Sequence, residues 1–416
     1  MPAAHKFSSA FHALKDPRAV LIAGALIVLI AMGSRHAFGL FLGPVTQELQ
    51  GVDRETFGFA IALQNLVWGL AQPFAGAIAD RFGSARVIII GGALYAGGLI
   101  IASASSTALG LTLGFGLFVG LGLSATTFAV VLGAVGRRFP PERRSTALGL
   151  ASLGGSVGIF LSVPVTLSLI EAFNWQIAFV SLALIALTMC LMGPLLSGKS
   201  PGADRPEQSL GAALTEALAH RGFMLLVLGF FVCGFQLAFI GTHLPAYLAD
   251  RQLEAWLGGA ALATIGAANI VGTFACGALG DRVSKKNVLT VLYLVRAGAV
   301  ALFVMTPPSA VSTLVFSVVI GLTWLGTVPL TSGIVAQIFG PRYLATLVGV
   351  VFLMHQLGSF LGAWLGGLAF ERTGSYDVIW WCVVLTGVLA ALLHWPIDER
   401  PIAEPDHGEL AAQSHG

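Results

Sequence analysis

"GAIADRFGSAR" runs from Gly76 to Arg86, and "GALGDRVSKKN" runs from Gly277 to Asn287. Gly76, Asp80 and Arg81 recur as Gly277, Asp281 and Arg282, 201 residues later. The same spacing carries Gly33, Ala37, Phe38 and Pro44 onto Gly234, Ala238, Phe239 and Pro245. Further along, the spacing becomes 200: Thr127 maps to Thr327, Gly149 to Gly349 and Gly158 to Gly358. A register held through so much of the chain marks an internal duplication. Repeats of this kind commonly build transporters, with the substrate bound near the midplane where the two copies meet.

The composition agrees with a membrane setting. Of 416 residues, 56% are hydrophobic and 10% charged, whereas a soluble domain carries about 25% charged residues. Twelve apolar segments are long enough to span a bilayer, which takes roughly 20 residues: 18–43, 56–79, 87–105, 108–135, 145–170, 175–197, 222–248, 256–280, 288–306, 310–338, 343–369 and 376–396. The longest connection, "SGKSPGADRPEQSLGAALTEALAHRG" (Ser197–Gly222), is polar and falls between spans six and seven. The expected fold is all-α: a short tail (1–17), a six-helix bundle (18–197), a linker (198–221), a second bundle (222–396) and a tail (397–416). The polar, basic N-terminus is too long for a signal peptide, so the first apolar run reads as a span.

Of the 22 Lys and Arg, 17 fall in connections on the N-terminal side of the bundle. Three, Arg54, Arg251 and Arg372, fall on the other side. This bias predicts cytoplasmic termini. The net charge of +2 carries no polyanion-binding signal. Cys190, Cys233, Cys276 and Cys382 lie in apolar stretches without metal-ligand spacing and read as packing residues. No cofactor, metal or nucleic acid is expected.

Gly76-x3-Asp80-Arg81-x-Gly83-x2-Arg86 resembles the signature loop between helices two and three of the major facilitator superfamily, and the copy at Gly277 resembles its degraded repeat. "ERRSTALG" (Glu142–Gly149) is similar to that family's loop between helices four and five. "FGLFLGPVTQEL" (Phe38–Leu49) and "HQLGSFLGAWLGG" (His355–Gly367) are similar to bacterial relatives of monocarboxylate porters and oxalate/formate antiporters. The resemblance implies the major facilitator fold, alternating access, a bacterial inner membrane and a monomer. It also implies a latch of Gly76, Asp80, Arg81, Gly83, Arg86, Asp281 and Arg282, with Asp80 facing the start of helix eleven near Tyr343. A carboxylate there gains roughly 0.3–1 kcal/mol from the helix N-terminus.

Two cations fall inside spans, Arg35 and Arg296, and no Asp or Glu falls in a span interior. An intramembrane ionisable residue is a functional candidate. Arg35, on helix one, reads as an anion clamp, because a guanidinium matches a carboxylate bidentately. The resemblance adds that monocarboxylate porters carry a basic residue near this place. His36 is rotated about 100° from Arg35 and is expected to be structural. His355, on helix eleven, is a candidate for pairing the anion or carrying a coupled proton. Arg296, on helix nine, is expected to be structural, capping broken backbone, with reach behind helix eight into the site as the alternative.

Polar stripes complete the expected lining: Gln64, Trp68 and Gln72 on helix two, Gln236 and His243 on helix seven, and Asn269 and Thr273 on helix eight. The repeat-related pair Thr127 and Thr327 joins them. The relatives carry an arginine on helix eight near Asn269–Thr273, which this chain lacks. Glycines every four residues, Gly154 and Gly158 in helix five and Gly358, Gly362 and Gly366 in helix eleven, read as packing seams that slide during transport.

The expected function is a secondary transporter of a small organic anion, a carboxylate, with protons as a candidate co-substrate. A drug-type efflux carrier is the alternative. Such carriers, when they exchange cations for protons, hold an acid within a span, and none is seen here. A receptor would need a long extramembrane domain, and an enzyme a metal or nucleophile constellation.

Overall fold

The computed structural model describes residues 16–136, 138–139, 141–197, 210–280, 282–339 and 344–402. They form twelve long helices: α1 (Pro17–Glu48), α2 (Arg54–Phe82), α3 (Ser84–Ser103), α4 (Ala108–Gly136), α5 (Pro141–Ala172), α6 (Trp175–Leu196), α7 (Arg221–Asp250), α8 (Trp256–Gly280), α9 (Lys285–Met305), α10 (Ala310–Phe339), α11 (Leu344–Thr373) and α12 (Asp377–His394). Eleven meet the length and apolarity needed to cross a membrane. The twelfth, α2, is 29 residues long and carries Gln64, Asn65 and Gln72 in its interior.

Local chemistry fixes the ends. Asp16 caps α1 by accepting from the Arg18 amide, with Pro17 in the first turn. Asp53 caps α2 through the Thr56 amide at 2.8 Å, and Asn174 caps α6 through the Ile177 amide at 2.8 Å. Ser309 and Ser312 form a reciprocal capping box at α10. Gly83 ends α2 at φ 93°, a left-handed conformation that favours glycine. The helices therefore run a few residues past the apolar stretches.

Three helices are irregular where they cross the middle of the bundle. α1 tightens to a 3-10 turn over Ala37–Phe41. α4 contains a wide π turn over Thr112–Phe118 and breaks at Thr127, whose backbone is extended. α10 breaks between Leu322 and Thr327. The breaks in α4 and α10 are repeat-related.

α1 packs on α5 and α7 packs on α11, and the two halves meet through α2 with α11 and α5 with α8. The glycine seams lie inside the halves. A Cβ on Gly158 would fall 2.2 Å from the Leu29 carbonyl oxygen, and one on Gly358 would fall 1.9 Å from that of Phe231. Glycine at these positions lets the backbones of α1 and α5, and of α7 and α11, approach this closely, as packing seams within each half.

At the end of the bundle away from the termini, the halves are latched together. Arg54 at the start of α2 grips Asp250 at the end of α7 with both arms, at 2.5 and 2.6 Å. Its Nη1 also donates to the Tyr376 hydroxyl at 3.1 Å, and its backbone amide donates to Glu371 at 3.1 Å. The guanidinium lies 3.8 Å from the Phe370 ring centroid. Burial, only partly opposed by Arg54, pushes the Tyr376 phenol up to about 12. Nearby, Gly39 abuts the Gly241 carbonyl across the two halves. At the termini end the space beside Gly76, Gly149, Gly277 and Gly349 is open among the described residues. The halves are therefore joined at the Arg54 end. Of the expected latch at the termini end, Arg86 and Arg282 are exposed. The Asp80 and Arg81 side chains, Asp281 and Tyr343 lie outside the described residues.

Candidate functional site

The half-exposed polar residues of the mid-bundle include Arg35, His36, Thr273 and His355. Arg35 sits in the last turn of the regular part of α1, just before the chain tightens. Its Nη2 donates to Asn65 Oδ1 on α2. Asn65 is itself oriented by donating Nδ2 to the Ile61 carbonyl at 2.9 Å, which leaves its oxygen toward Arg35. The guanidinium carbon lies 5.1 Å from the Trp68 ring centroid, a cation–π distance. Arg35 Nε is buried with no partner. The ion pairs among the described residues are Arg54–Asp250, Arg251–Asp377 and Arg400–Asp398, so no carboxylate neutralises Arg35.

An aromatic line leads from Arg35 into the other half. Trp68 donates Nε1 to Thr127 Oγ1 at 3.1 Å, at the break in α4. Its edge meets Phe352 of α11 at 5.3 Å, and Phe352 stacks on His355 at 5.8 Å. Arg35 and His355 thus stand at opposite ends of one wall, two rings apart. His355 Nδ1 has Gln356 and Ser359 as partners, each at 3.4 Å.

Asn269, in α8, ties three helices together. Its Nδ2 donates to Ser156 of α5 at 3.1 Å. Its oxygen accepts from Thr273 and from the Leu325 amide in the α10 break, both at 3.0 Å. It is fully buried, and Thr273 below it is half-exposed.

Other expected lining residues sit inside a half. Gln64 is buried and donates to the Phe115 carbonyl of α4 at 3.0 Å. Gln236 is buried, donates to the Val383 carbonyl of α12 at 2.8 Å and accepts from Arg296 at 3.1 Å. His243 donates Nε2 to the Ala363 carbonyl at 2.7 Å and accepts from the Tyr376 hydroxyl at 3.3 Å, beside the latch. Thr327 is buried with Cys233 Sγ at 3.4 Å. Gln72 is half-exposed with its Oε1 unpartnered.

Arg296 is fully buried. Besides Gln236, it donates Nη2 to the Thr323 carbonyl and to that of Trp324 at 3.3 Å, the acceptors freed by the α10 break. The repeat exchanges roles here. Arg35 corresponds to Gln236, and Tyr95 corresponds to Arg296. Tyr95 donates to the Ala31 carbonyl at 3.1 Å. Each half therefore holds one arginine, but on different helices, and the second is used up on backbone.

Sequence reasoning missed Asn65, Phe352 and Trp324. Asn65 was recoverable, since it lies three residues before Trp68 and shares its helix face. Phe352 bears the same relation to His355. Trp324 sits in the break, where no periodicity exists.

Two six-helix halves, latched at the Arg54 end around a polar mid-bundle wall, have the architecture of a membrane transporter rather than an enzyme. The sequence matches the Major Facilitator Superfamily over residues 24–363, and the chain belongs to that family. It is 24% identical to the uncharacterized MFS-type transporter YcxA of Bacillus subtilis (strain 168), over 92% of this chain and 96% of that one. It is 28% identical to monocarboxylate transporter 11 of Homo sapiens, over 83% and 75% of the two chains. In fold it is similar to a D-xylose-proton symporter, with a TM-score of 0.72 at 14% identity over 92% of this chain and 99% of that one.

Proposed function

We propose that this transporter moves a small organic anion, a carboxylate, and that Arg35 binds it. The observation that carries this is the unneutralised guanidinium of Arg35, half-exposed in the middle of the bundle. One arm is steadied by Asn65, the face is backed by Trp68, and Nε has no partner. A desolvated charge without a counter-ion is costly. Its planar fork matches a carboxylate. The monocarboxylate transporters among the relatives support the same class of cargo. Trp68, Phe352, His355, Asn269 and Thr273 complete the wall around the anion. Gln64, Gln236, His243, Thr127 and Thr327 hold the helices that carry it.

The protein acts as a monomer in a bacterial plasma membrane, with the termini in the cytoplasm as the Lys and Arg bias requires. The latched end then faces outward, and the molecule is in its inward-facing state. In the opposite state the Gly76–Arg86 loop closes the cytoplasmic end.

The test is uptake of labelled mono- and dicarboxylates by purified protein in liposomes, with and without a pH gradient. Loss of a charge-assisted contact of about 1.5–3 kcal/mol predicts a fall of roughly 10–150-fold for Arg35→Ala. Normal carboxylate transport by Arg35→Ala refutes the clamp. Transport of lipophilic compounds in place of any carboxylate establishes the efflux carrier instead.

A further inference from the structure

We infer that His36, rather than His355, carries a proton that is bound and released together with the anion. The inference rests on the reading of Arg35 as the anion site and adds a co-substrate to it.

The regular turns of α1 end at His36, and the tighter 3-10 turn begins at Ala37. At this junction two adjacent side chains take opposite directions. Arg35 turns to α2 of its own half. His36 turns to the other half, where its ring lies 6.3 Å from that of Trp324 in the α10 break. Both are half-exposed. His36 Nδ1 bonds the Met32 carbonyl at 2.8 Å. A carbonyl only accepts, so Nδ1 carries the hydrogen and Nε2 keeps its lone pair. Nε2 has no protein partner among the described residues, so it is the atom left to take a proton.

The groups that lie against the ring itself, the Met32 carbonyl and Trp324, are uncharged, as are the polar groups on the neighbouring elements. α2 contributes Asn65 and Trp68 near Arg35, and α3 contributes the Tyr95 phenol, already bonded to Ala31. α5 contributes Ser162 beside Gly33, and α7 contributes Gly241 beside Trp324. α10 contributes Trp324, whose indole N–H is buried without a partner. Burial of the ring and, after it, the neighbouring charge of Arg35 both oppose a second positive charge on the empty site.

Two cations on neighbouring residues repel, so the empty site does not hold both charges comfortably. An anion on Arg35 removes the repulsion and attracts the second positive charge. Proton and anion therefore stabilise each other's binding, and by linkage each raises the other's affinity equally, typically by about 5–150-fold. The proton comes from the water to which the site is open, forms one N–H bond at Nε2, and leaves to the opposite phase with the anion. His355 is two aromatic rings away from Arg35, with Nδ1 already flanked by Gln356 and Ser359, so an anion on Arg35 acts on it less.

The test is calorimetry of carboxylate binding to the detergent-purified full chain, in buffers of different ionisation enthalpy, using the best substrate of the uptake panel. Wild type is expected to take up a fraction of a proton per anion that grows as the pH is lowered, and binding is expected to tighten with falling pH, by less than tenfold per unit. His36→Gln and His36→Asn are expected to bind the anion without proton uptake. The inference is overturned if wild type binds without proton uptake, if either His36 variant retains the uptake, or if His355→Gln abolishes it while His36→Gln does not. It is also overturned if neither His36 variant binds, because the ring would then hold the fold or the anion itself. Absence of any carboxylate binding by wild type would instead remove the anion reading.

Discussion

Replacing Asp250 by Asn should shift the whole carrier toward the state open at the Arg54 end. Asp250 holds Arg54 with two bonds of 2.5 and 2.6 Å. At about 4 Å between charge centres, an effective dielectric constant of about 20 gives about 4 kcal/mol of attraction. Desolvation opposes most of that. The side chains are 19% and 31% exposed, so the pair lies between two regimes. Exposed pairs contribute about 0.2–1 kcal/mol, and breaking a buried pair costs about 3–5 kcal/mol. Arg54 keeps Tyr376 and Phe370 in the variant, which places the expected loss near 1.5 kcal/mol. That moves the equilibrium between the two states by roughly tenfold. Hydrogen–deuterium exchange reads both ends at once. In Asp250→Asn, residues 240–250 and 363–373 should exchange faster, while residues 73–79 and 270–280 should exchange more slowly. The reciprocal double change, Arg54→Asp with Asp250→Arg, should restore the wild-type pattern. Faster exchange at both ends would mean general loosening, and an unchanged pattern would mean a surface pair without leverage. Either result refutes the latch.

Three further outcomes follow from the geometry. Arg296→Ala leaves two backbone carbonyls and Gln236 without a donor inside the C-terminal half, so its melting temperature, followed by intrinsic fluorescence, should fall well below that of Arg35→Ala. Gly234→Val should prevent assembly of α7 with α11, since a Cβ there would lie 1.8 Å from the His355 carbonyl oxygen; size-exclusion chromatography should show aggregated or absent protein. The Tyr376 phenol is raised from about 10 to about 12 by burial, so its contribution is complete below about pH 10 and is lost between about pH 10 and about 12. Thermal stability should decline over that window, and Tyr376→Phe should lose that part of the decline.

The helices and the duplication were legible because a bilayer imposes length and apolarity on every span, and because glycine and proline positions persist between copies. Arg35 stood out because a charge inside an apolar run is rare. Its surroundings were harder to read. Periodicity tells which residues share a helix face but not what lies opposite. Gln236 and His243 share a face of α7, yet one meets α12 and Arg296 while the other meets the latch. Arg296 could be suspected of capping backbone, but the carbonyls it caps exist only because α10 breaks, and no composition signals that break. Arg54 and Asp250 lie 196 residues apart in sequence and look like ordinary helix-end charges.

The exchange of roles between the halves has an electrical consequence. Arg296 is enclosed by its own half, whereas Arg35 is half-exposed in the mid-bundle. When the carrier changes state, the water that reaches Arg35 changes from one compartment to the other. An empty carrier therefore moves about one uncompensated positive charge through the membrane field, worth about 2.3 kcal/mol per 100 mV, and a carrier holding an anion on Arg35 together with a proton on His36 moves the same net charge. If the Arg54 end faces outward, as proposed, a membrane negative inside draws the unloaded protein toward the arrangement closed at that end. The resting orientation then follows from the placement of a single guanidinium, and membrane potential acts on the loaded and the empty stroke alike when a proton accompanies the anion.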